Sequence, residues 1–444
     1  MFDYDVIVVG CGPTGLMATS ELKAREVNVL GIDMKTRLDK NFRSASGFFF
    51  DDQEFNGECI RLEPKGDKTR IHYEKCGFSL DYPAPMEAIH NSYMVSNSGK
   101  NYQITSRNKP LYHIFNPTTW LSARYHNAKE LGASFLTRTL VIKTKEIPGG
   151  VEVIFRKDGR KGKLTCKKLI ASDGLQSRIT RELGFNRNRG VIGIGPTIEY
   201  EMVGVECPLP RGDLFIFGEK NLGQKTGQIF MVPSPRGKDA YRIETATTPP
   251  AIKNYQVIEY FTKESSLAWW FKKASVVEKS GAVVELFTPI KVPHRGNIIL
   301  VGDTAAFGEV LYQGATMCGY MAAVAVEKEL RGHKGFDEYT QWWNSTFEWN
   351  IDPKKMSEYS KRFLFTRYMG ADTMDYLFDI AAKQPLIADD ARANVYDFAK
   401  TVIDHLLSFP EVRPDVAKKL RFMREADIGL MVAELAKEAQ ALKK

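Results

Sequence analysis

The sequence has no apolar run near the roughly 20 residues needed to cross a bilayer. Its most apolar helical stretch, Ala315 to Val326, is short and rich in glycine and alanine, as in a tightly packed internal helix. There is no CxxC pair. Cys11, Cys59, Cys76, Cys166, Cys207 and Cys318 are scattered along the chain, which argues against a disulfide framework, a structural zinc site and a cysteine-ligated iron–sulfur cluster. The histidines form no HxxxH pair, so no metal site is expected, and a reducing compartment is the default. No basic region precedes the first apolar strand, Asp5-Val6-Ile7-Val8-Val9. A secretory leader is therefore not expected, and the expected location is cytoplasmic, with peripheral membrane contact left open.

A strong charge of one sign is missing too. Lys+Arg 62 minus Asp+Glu 54 gives +8. Short basic clusters, Arg156 to Lys163 and Lys418 to Arg424, read first as solvated surface, and second as docking patches for an acidic partner or anionic membrane. No nucleic-acid partner is expected. With 444 residues, 43% hydrophobic and 26% charged, the composition is that of a globular protein of two or three domains.

What is present begins at the N-terminus. Val6-Ile7-Val8-Val9 is a continuous apolar run, as in a parallel strand buried on both faces. Gly10-Cys11-Gly12-Pro13-Thr14-Gly15 follows and fits GxGxxG. A helix is predicted from Pro13 through Lys23, then a strand from Val27 to Ile32 ending at Asp33. Gly10 permits the turn, Gly12 admits a pyrophosphate to the backbone, and Gly15 lets helix and strand pack closely. The helix N-terminus attracts phosphate. Asp33 is placed to accept hydrogen bonds from an adenosine ribose, which disfavours a 2′-phosphate.

Two further strand ends carry glycine and aspartate. Leu169-Ile170-Ala171-Ser172-Asp173-Gly174 is followed by Ser177 and Arg178. Asn297 to Val301 leads into Gly302-Asp303-Thr304-Ala305, with a helix predicted to open near Gly314-Ala315-Thr316 and run to about Leu330. Asp303 can bond a ribityl hydroxyl of a flavin. The N–H groups of Gly314 to Thr316 can face its pyrimidine edge, where reduction places negative charge.

These segments resemble the FAD-containing oxidoreductases with the para-hydroxybenzoate-hydroxylase type of fold, and within them the geranylgeranyl-reductase-like branch with its FixC-type dehydrogenases. The resemblance covers about residues 1 to 335. It implies a Rossmann-like FAD-binding domain, an inserted mostly antiparallel substrate sheet, and FAD as cofactor. By the same resemblance Gly10, Gly12, Pro13, Thr14, Gly15 and Asp33 hold the adenosine diphosphate half. Gly302, Asp303, Gly314, Ala315 and Thr316 hold the flavin half. Asp173 and Gly174 lie beside the cofactor, and Arg43 is a candidate contact. Ala306 and Val310 stand where hydroxylases of this group usually carry histidine and proline, and Ser44 where prenyl reductases often carry cysteine.

The implied division of the chain is 1–85, 86–195 and 291–334 for the FAD domain, 196–290 for the substrate sheet and 335–444 for a helical region. A hairpin is expected at Leu140 to Thr144 and Val151 to Phe155, joined through Pro148-Gly149-Gly150, with a helix over Pro117 to Glu130 before it. Short strands are expected at Thr197 to Val205, Asp213 to Phe217, Gly227 to Val232 and Tyr241 to Thr245. Trp269, Trp270 and Phe271 read as core beside them. C-terminal helices are expected at Phe336 to Glu348, Lys354 to Tyr368, Asp372 to Ala382, Ala391 to Leu407 and Pro414 to Ala439.

The expected activity is exchange of a hydride between flavin N5 and a hydrophobic or acyl substrate, with Glu309 and Tyr312 as candidate proton donors. The electron source is left open between NAD(P)H, a quinone and a protein partner. An FAD monooxygenase and an electron-carrier flavoprotein are the alternatives.

Overall fold

In a computed structural model of the chain, all residues are described except 45–46, 97, 218–227, 247–253, 362–363, 389–395 and 442–444. Two eight-stranded sheets dominate the described residues. In the first, Tyr4–Val9 lies between Val29–Ile32 and Arg160–Ala171 and runs parallel to both. Ile298–Leu300 adds a further parallel strand beside Arg160–Ala171. The continuous apolar run of Tyr4–Val9 is explained by its central place, since Val6, Ile7 and Val8 are all fully buried.

Helices Pro13–Ala24 and Leu311–Leu330 pack against each other and share the core of this sheet. Gly319 makes the contact close: a Cβ there would stand 2.4 Å from the Thr14 carbonyl oxygen. The hairpin strands Thr139–Ile147 and Gly150–Lys157 pair antiparallel and join the edge of Arg160–Ala171. Helix Pro117–Glu130 has its expected bounds. Asn116 caps it, accepting the Thr118 N–H at 2.9 Å, with Pro117 at its first position.

The second sheet runs in the order Ser275–Phe287, Val191–Val203, Tyr241–Ala246, Gln228–Pro233, Asp213–Phe217, Asn91–Val95, Asn101–Thr105, Leu386–Ile387. Most pairings are antiparallel. The expected partition needs correcting. Asn91–Val95 and Asn101–Thr105, assigned to the FAD domain, belong to this sheet, and so does Leu386–Ile387 from the region expected to be helical. A strand's local pattern does not say which sheet edge will accept it. The meander Glu58–Lys65, Lys68–Tyr73, Phe78–Tyr82 was not anticipated either.

One face of the second sheet is apolar and covered. Ile229, Met231, Tyr241 and Ile243 pack with Val257 and Phe261 of helix Asn254–Lys263 and with Trp270 and Phe271. Trp269 departs from the core reading, being 47% exposed.

The C-terminal region is helical but more broken than expected. Gly335–Thr346 is followed by the separate short helix Glu348–Ile351, and Lys354–Lys361 by Phe365–Met369. Ala371–Ala381 and Phe398–Leu407 follow, while 391–395 and Gly227 lie outside the described residues. The long expected helix is two, Pro414–Glu425 and Ile428–Ala441. Ala426 is extended, and the Asp427 carboxylate accepts the Leu430 N–H at 2.8 Å, so a new cap interrupts the helix.

Candidate cofactor and substrate site

The three glycine-bearing strand ends meet. Ser172 Oγ donates to the Gly10 carbonyl at 2.7 Å and to Val9 at 3.1 Å. The Gly174 N–H donates to Thr304 Oγ1 at 3.0 Å. Gly302, at φ +66°, lies so close to Thr14 that a Cβ would be 2.7 Å from its hydroxyl. Gly15 is closed in the same way, its hypothetical Cβ 1.8 Å from the Gly10 oxygen.

Gly12 differs from these. A Cβ there would meet nothing within 4 Å. Helix Pro13–Ala24 starts at this open point with no side-chain cap and no acid in its first turn. Its first N–H groups are therefore available to an anion. The cradle thus fits a pyrophosphate on an observation independent of motif matching.

Asp33 supports the cradle from below. It accepts the Cys11 N–H at 2.7 Å and the Lys35 N–H at 2.8 Å, while Lys35 Nζ donates to the Cys11 carbonyl at 3.0 Å. Each carboxylate oxygen keeps acceptor capacity for a ribose hydroxyl.

At the far end Asp303 accepts the Val310 N–H at 2.9 Å. Burial raises its pKa, and the neighbouring Arg43 guanidinium opposes the rise. Arg43 also lies 3.6 Å from Glu309, and its Nη1 would be 3.2 Å from a Cβ on Gly174. Asp173 accepts the Arg178 N–H at 3.0 Å, but its Oδ1 is buried without a partner. Burial raises its pKa as well. An orphaned acceptor beside Gly174 fits a group that brings a donor there.

The second helix needs a correction. It opens at Leu311, not Gly314, with Leu311 at φ +55°. The Gly314 N–H is already bonded to the Val310 carbonyl at 3.1 Å, and Ala315 and Thr316 are buried in the helix body. The Val310 N–H is taken by Asp303. The N–H groups free of an intrahelical acceptor are then those of Leu311, Tyr312 and Gln313. No acid, proline or glycine marks Leu311 as a start, so local sequence offered no signal for it.

Tyr312 is buried edge-on to Phe115, ring centroids 5.1 Å apart, and burial raises its pKa. The fields of Arg242 and Arg43 oppose that rise, and those of Glu199 and Glu309 add to it. Arg242 and Glu199 belong to the second sheet, so the face of that sheet opposite its apolar covered one adjoins the helix start.

That face carries candidate site residues that sequence reasoning missed. Residues directly opposite one another across the strands form a row: Met94, Phe215, Phe230, Glu244, Glu199, Ser280. One end is aromatic, with Phe215 and Phe230 stacked at 4.5 Å. Glu199 and Glu244 oppose each other in the middle, and Ser280 donates to Glu199 at 3.2 Å. Burial and the like charge of Glu199 raise the Glu244 pKa to about 7, against hydrogen bonds from Ser44 and Thr197. Ser44 and Thr197 share a hydrogen bond of 2.5 Å. Beside the row, Arg242 lies 3.8 Å from Glu201. A polar crevice between Asn41, Thr118, Glu199, Glu201 and Arg242 opens onto this face. The signal was the alternation Thr197-Ile198-Glu199-Tyr200-Glu201-Met202, but such a pattern ordinarily describes a solvent face.

No protein-family model matches the chain. A digeranylgeranylglycerophospholipid reductase of Methanococcus vannielii is 23% identical over 348 residues, 76% of this chain and 82% of that protein. A second such reductase, of Methanosphaera stadtmanae, is 24% identical over 347 residues, 76% and 82% of the two chains. Among solved structures, a geranylgeranyl bacteriochlorophyll reductase-like protein of Thermoplasma acidophilum superposes with a TM-score of 0.64 at 17% identity, covering 95% of this chain and 99% of that one. A p-nitrophenol 4-monooxygenase of Pseudomonas putida gives 0.60 at 13%, covering 92% and 99%. No helix among the described residues is long and apolar enough to cross a membrane. In sequence the chain is similar to digeranylgeranylglycerophospholipid reductases, and in fold to the geranylgeranyl bacteriochlorophyll reductase-like protein and other flavin-dependent oxidoreductases.

Proposed function

We propose that the protein is an FAD-dependent reductase that saturates a carbon–carbon double bond of a hydrophobic, isoprenoid-like or acyl substrate. The bound flavin supplies hydride chemistry at N5. In this reading Gly10, Gly12, Pro13, Thr14, Gly15 and Asp33 hold the adenosine diphosphate half of the cofactor. Asp173, Gly174, Gly302, Asp303 and Arg43 flank the flavin half. The first-turn N–H groups from Leu311 to Gln313 face the ring edge that becomes negative on reduction. The substrate lies between the cofactor and that face of the second sheet, its apolar part against Phe215 and Phe230.

The observation that carries the reading is the meeting of the three strand ends beneath that sheet face. The sequence relatives favour reduction over hydroxylation, as does Ala306 in place of the histidine usual in hydroxylases. Glu309 is ion-paired with Arg43 and Tyr312 is buried. In this proposal both order the ring environment.

The test is anaerobic reduction of the FAD-loaded protein by NADH, NADPH and dithionite, followed by addition of digeranylgeranylglycerophospholipid in detergent micelles. Reoxidation of the flavin with saturation of the lipid is the expected result. Rapid NAD(P)H oxidation with O₂ uptake on an aromatic substrate would instead favour a monooxygenase. The nicotinamide arms also separate NAD(P)H from a quinone or protein as electron source. A cytoplasmic location with the substrate drawn from a membrane surface is part of the same proposal.

A further inference from the structure

The substrate wall of a reductase acting on a hydrophobic molecule has no structural need for two facing carboxyl groups. Glu199 and Glu244 oppose each other directly across neighbouring strands. Like charges at such positions destabilise a sheet unless a proton is shared. Their immediate surroundings are hydroxyls: Ser280 on Glu199, and Ser44 and Thr197 on Glu244. The Ser44–Thr197 pair is buried and ties the sheet to the segment that carries Arg43. On the other side of Glu244 in the row stands Phe230, where the aromatic part of the wall begins. The carboxyl pair therefore sits at the boundary between the apolar wall and the polar crevice.

We propose that Glu244, paired with Glu199, is the proton donor to the substrate carbon, and that Ser44 and Thr197 orient its carboxyl group. The inference rests on the reductase reading above. The step balances simply. The Glu244 O–H bond breaks and a C–H bond forms at one alkene carbon. The other carbon receives hydride equivalents from the two-electron-reduced cofactor, and Glu244 regains its proton from solvent through the crevice. The charged and titratable groups around the pair are Glu201, Arg242 and Glu278 on the sheet, with Arg236 ion-paired to Glu201 and Glu278 and Lys40 to Glu278, and Arg43, Glu309 and Tyr312 on the facing side. A carboxyl kept protonated near neutral pH suits a general acid.

The first test needs no substrate. Infrared titration of the apoprotein should show a protonated carboxyl band lost with a midpoint at about 7. Glu244→Gln should abolish it. Glu199→Gln should move the midpoint down by about one unit or more, because the facing negative charge is gone. The buried Asp173, Asp213 and Asp303, whose pKa values are raised as well, give bands that both proteins share; absence of a component lost near pH 7 in the wild type, or the same component unchanged in Glu244→Gln, overturns the pair.

The second test follows reoxidation of the dithionite-reduced, FAD-loaded protein by digeranylgeranylglycerophospholipid micelles across pH. Wild-type rates should fall above about pH 7, and Glu244→Gln should be slower by roughly 100-fold with unchanged flavin content. A Glu244→Gln rate within about threefold of wild type overturns the donor role. A wild-type protein that the lipid fails to reoxidise contradicts the substrate reading instead, and the infrared titration then decides the pair by itself.

Discussion

Asp33 and Asp303 both spend one carboxylate oxygen on a backbone N–H of the loop they support, Cys11 and Val310 respectively. In the proposed reading, replacing either by alanine removes a cofactor contact and loosens the loop. Charge-assisted hydrogen bonds are worth about 1.5–3 kcal/mol, so Asp33→Ala and Asp303→Ala should each weaken FAD binding about 10- to 100-fold. Fluorescence titration of the apoprotein with FAD measures this, and unchanged affinity in both variants would refute the assignment. Glu244 makes a separate stability prediction. Its folded pKa of about 7 exceeds the unfolded carboxyl value of about 4.3. Between those values the native state binds the extra proton, so stability falls as pH rises through the window and levels off above it. Glu244→Gln should flatten that decline, as read from Tm against pH. The two aspartates were legible because each follows an apolar strand, Asp33 at the expected distance after Gly10 and Asp303 next to Gly302. Glu199 and Glu244 were not, because period-two alternation looks the same on a solvent face and on an internal wall.

The strand–turn–helix unit at the N-terminus separates packed glycines from one that faces open space. Gly15 is pressed against the Gly10 carbonyl, whereas Gly12 looks into open space. Gly15→Ala should destabilise the apoprotein by at least about 1–3 kcal/mol through a backbone clash, seen as a Tm lower by several degrees. Gly12→Ala should leave the apoprotein Tm within about 2 °C of wild type yet weaken FAD binding about tenfold or more, because the methyl group occupies the phosphate space. Differential scanning calorimetry and FAD titration of both variants check the contrast. If the two substitutions behaved alike, the cradle would be wrongly placed. Element types in this unit were readable because its strand is central and its helix carries Pro13 at the first position. The start of the later helix was misread by three residues because Gly314 looked like the turn. The turn is made instead by Leu311 in the left-handed region, held by Asp303 and by Asn56, whose Nδ2 donates to the Val310 carbonyl at 2.8 Å.

At the scale of the whole molecule, the site exists only because distant segments meet. Gly10 touches Ser172, Thr14 faces Gly302, and Ser44, next to Arg43, bonds Thr197 of the second sheet. The first two meetings could be inferred, since a GxGxxG end and two glycine–aspartate ends are together accounted for by one dinucleotide ligand. The third could not, because nothing local ties Ser44 to a strand 153 positions later. The same reason explains why Asn91–Val95 and Leu386–Ile387 were placed in the wrong units: strand partners are chosen by the assembled edge, not by the strand. The central claim is that one FAD lies along the meeting line of these strand ends. Its most direct test is the absorption spectrum of purified protein titrated with FAD, with flavin released and counted per chain, for wild type and Gly12→Ala side by side. The account predicts one flavin per wild-type chain and substantially less in the variant. A wild-type chain that stays colourless in excess FAD, or a variant that binds it equally well, would contradict the account.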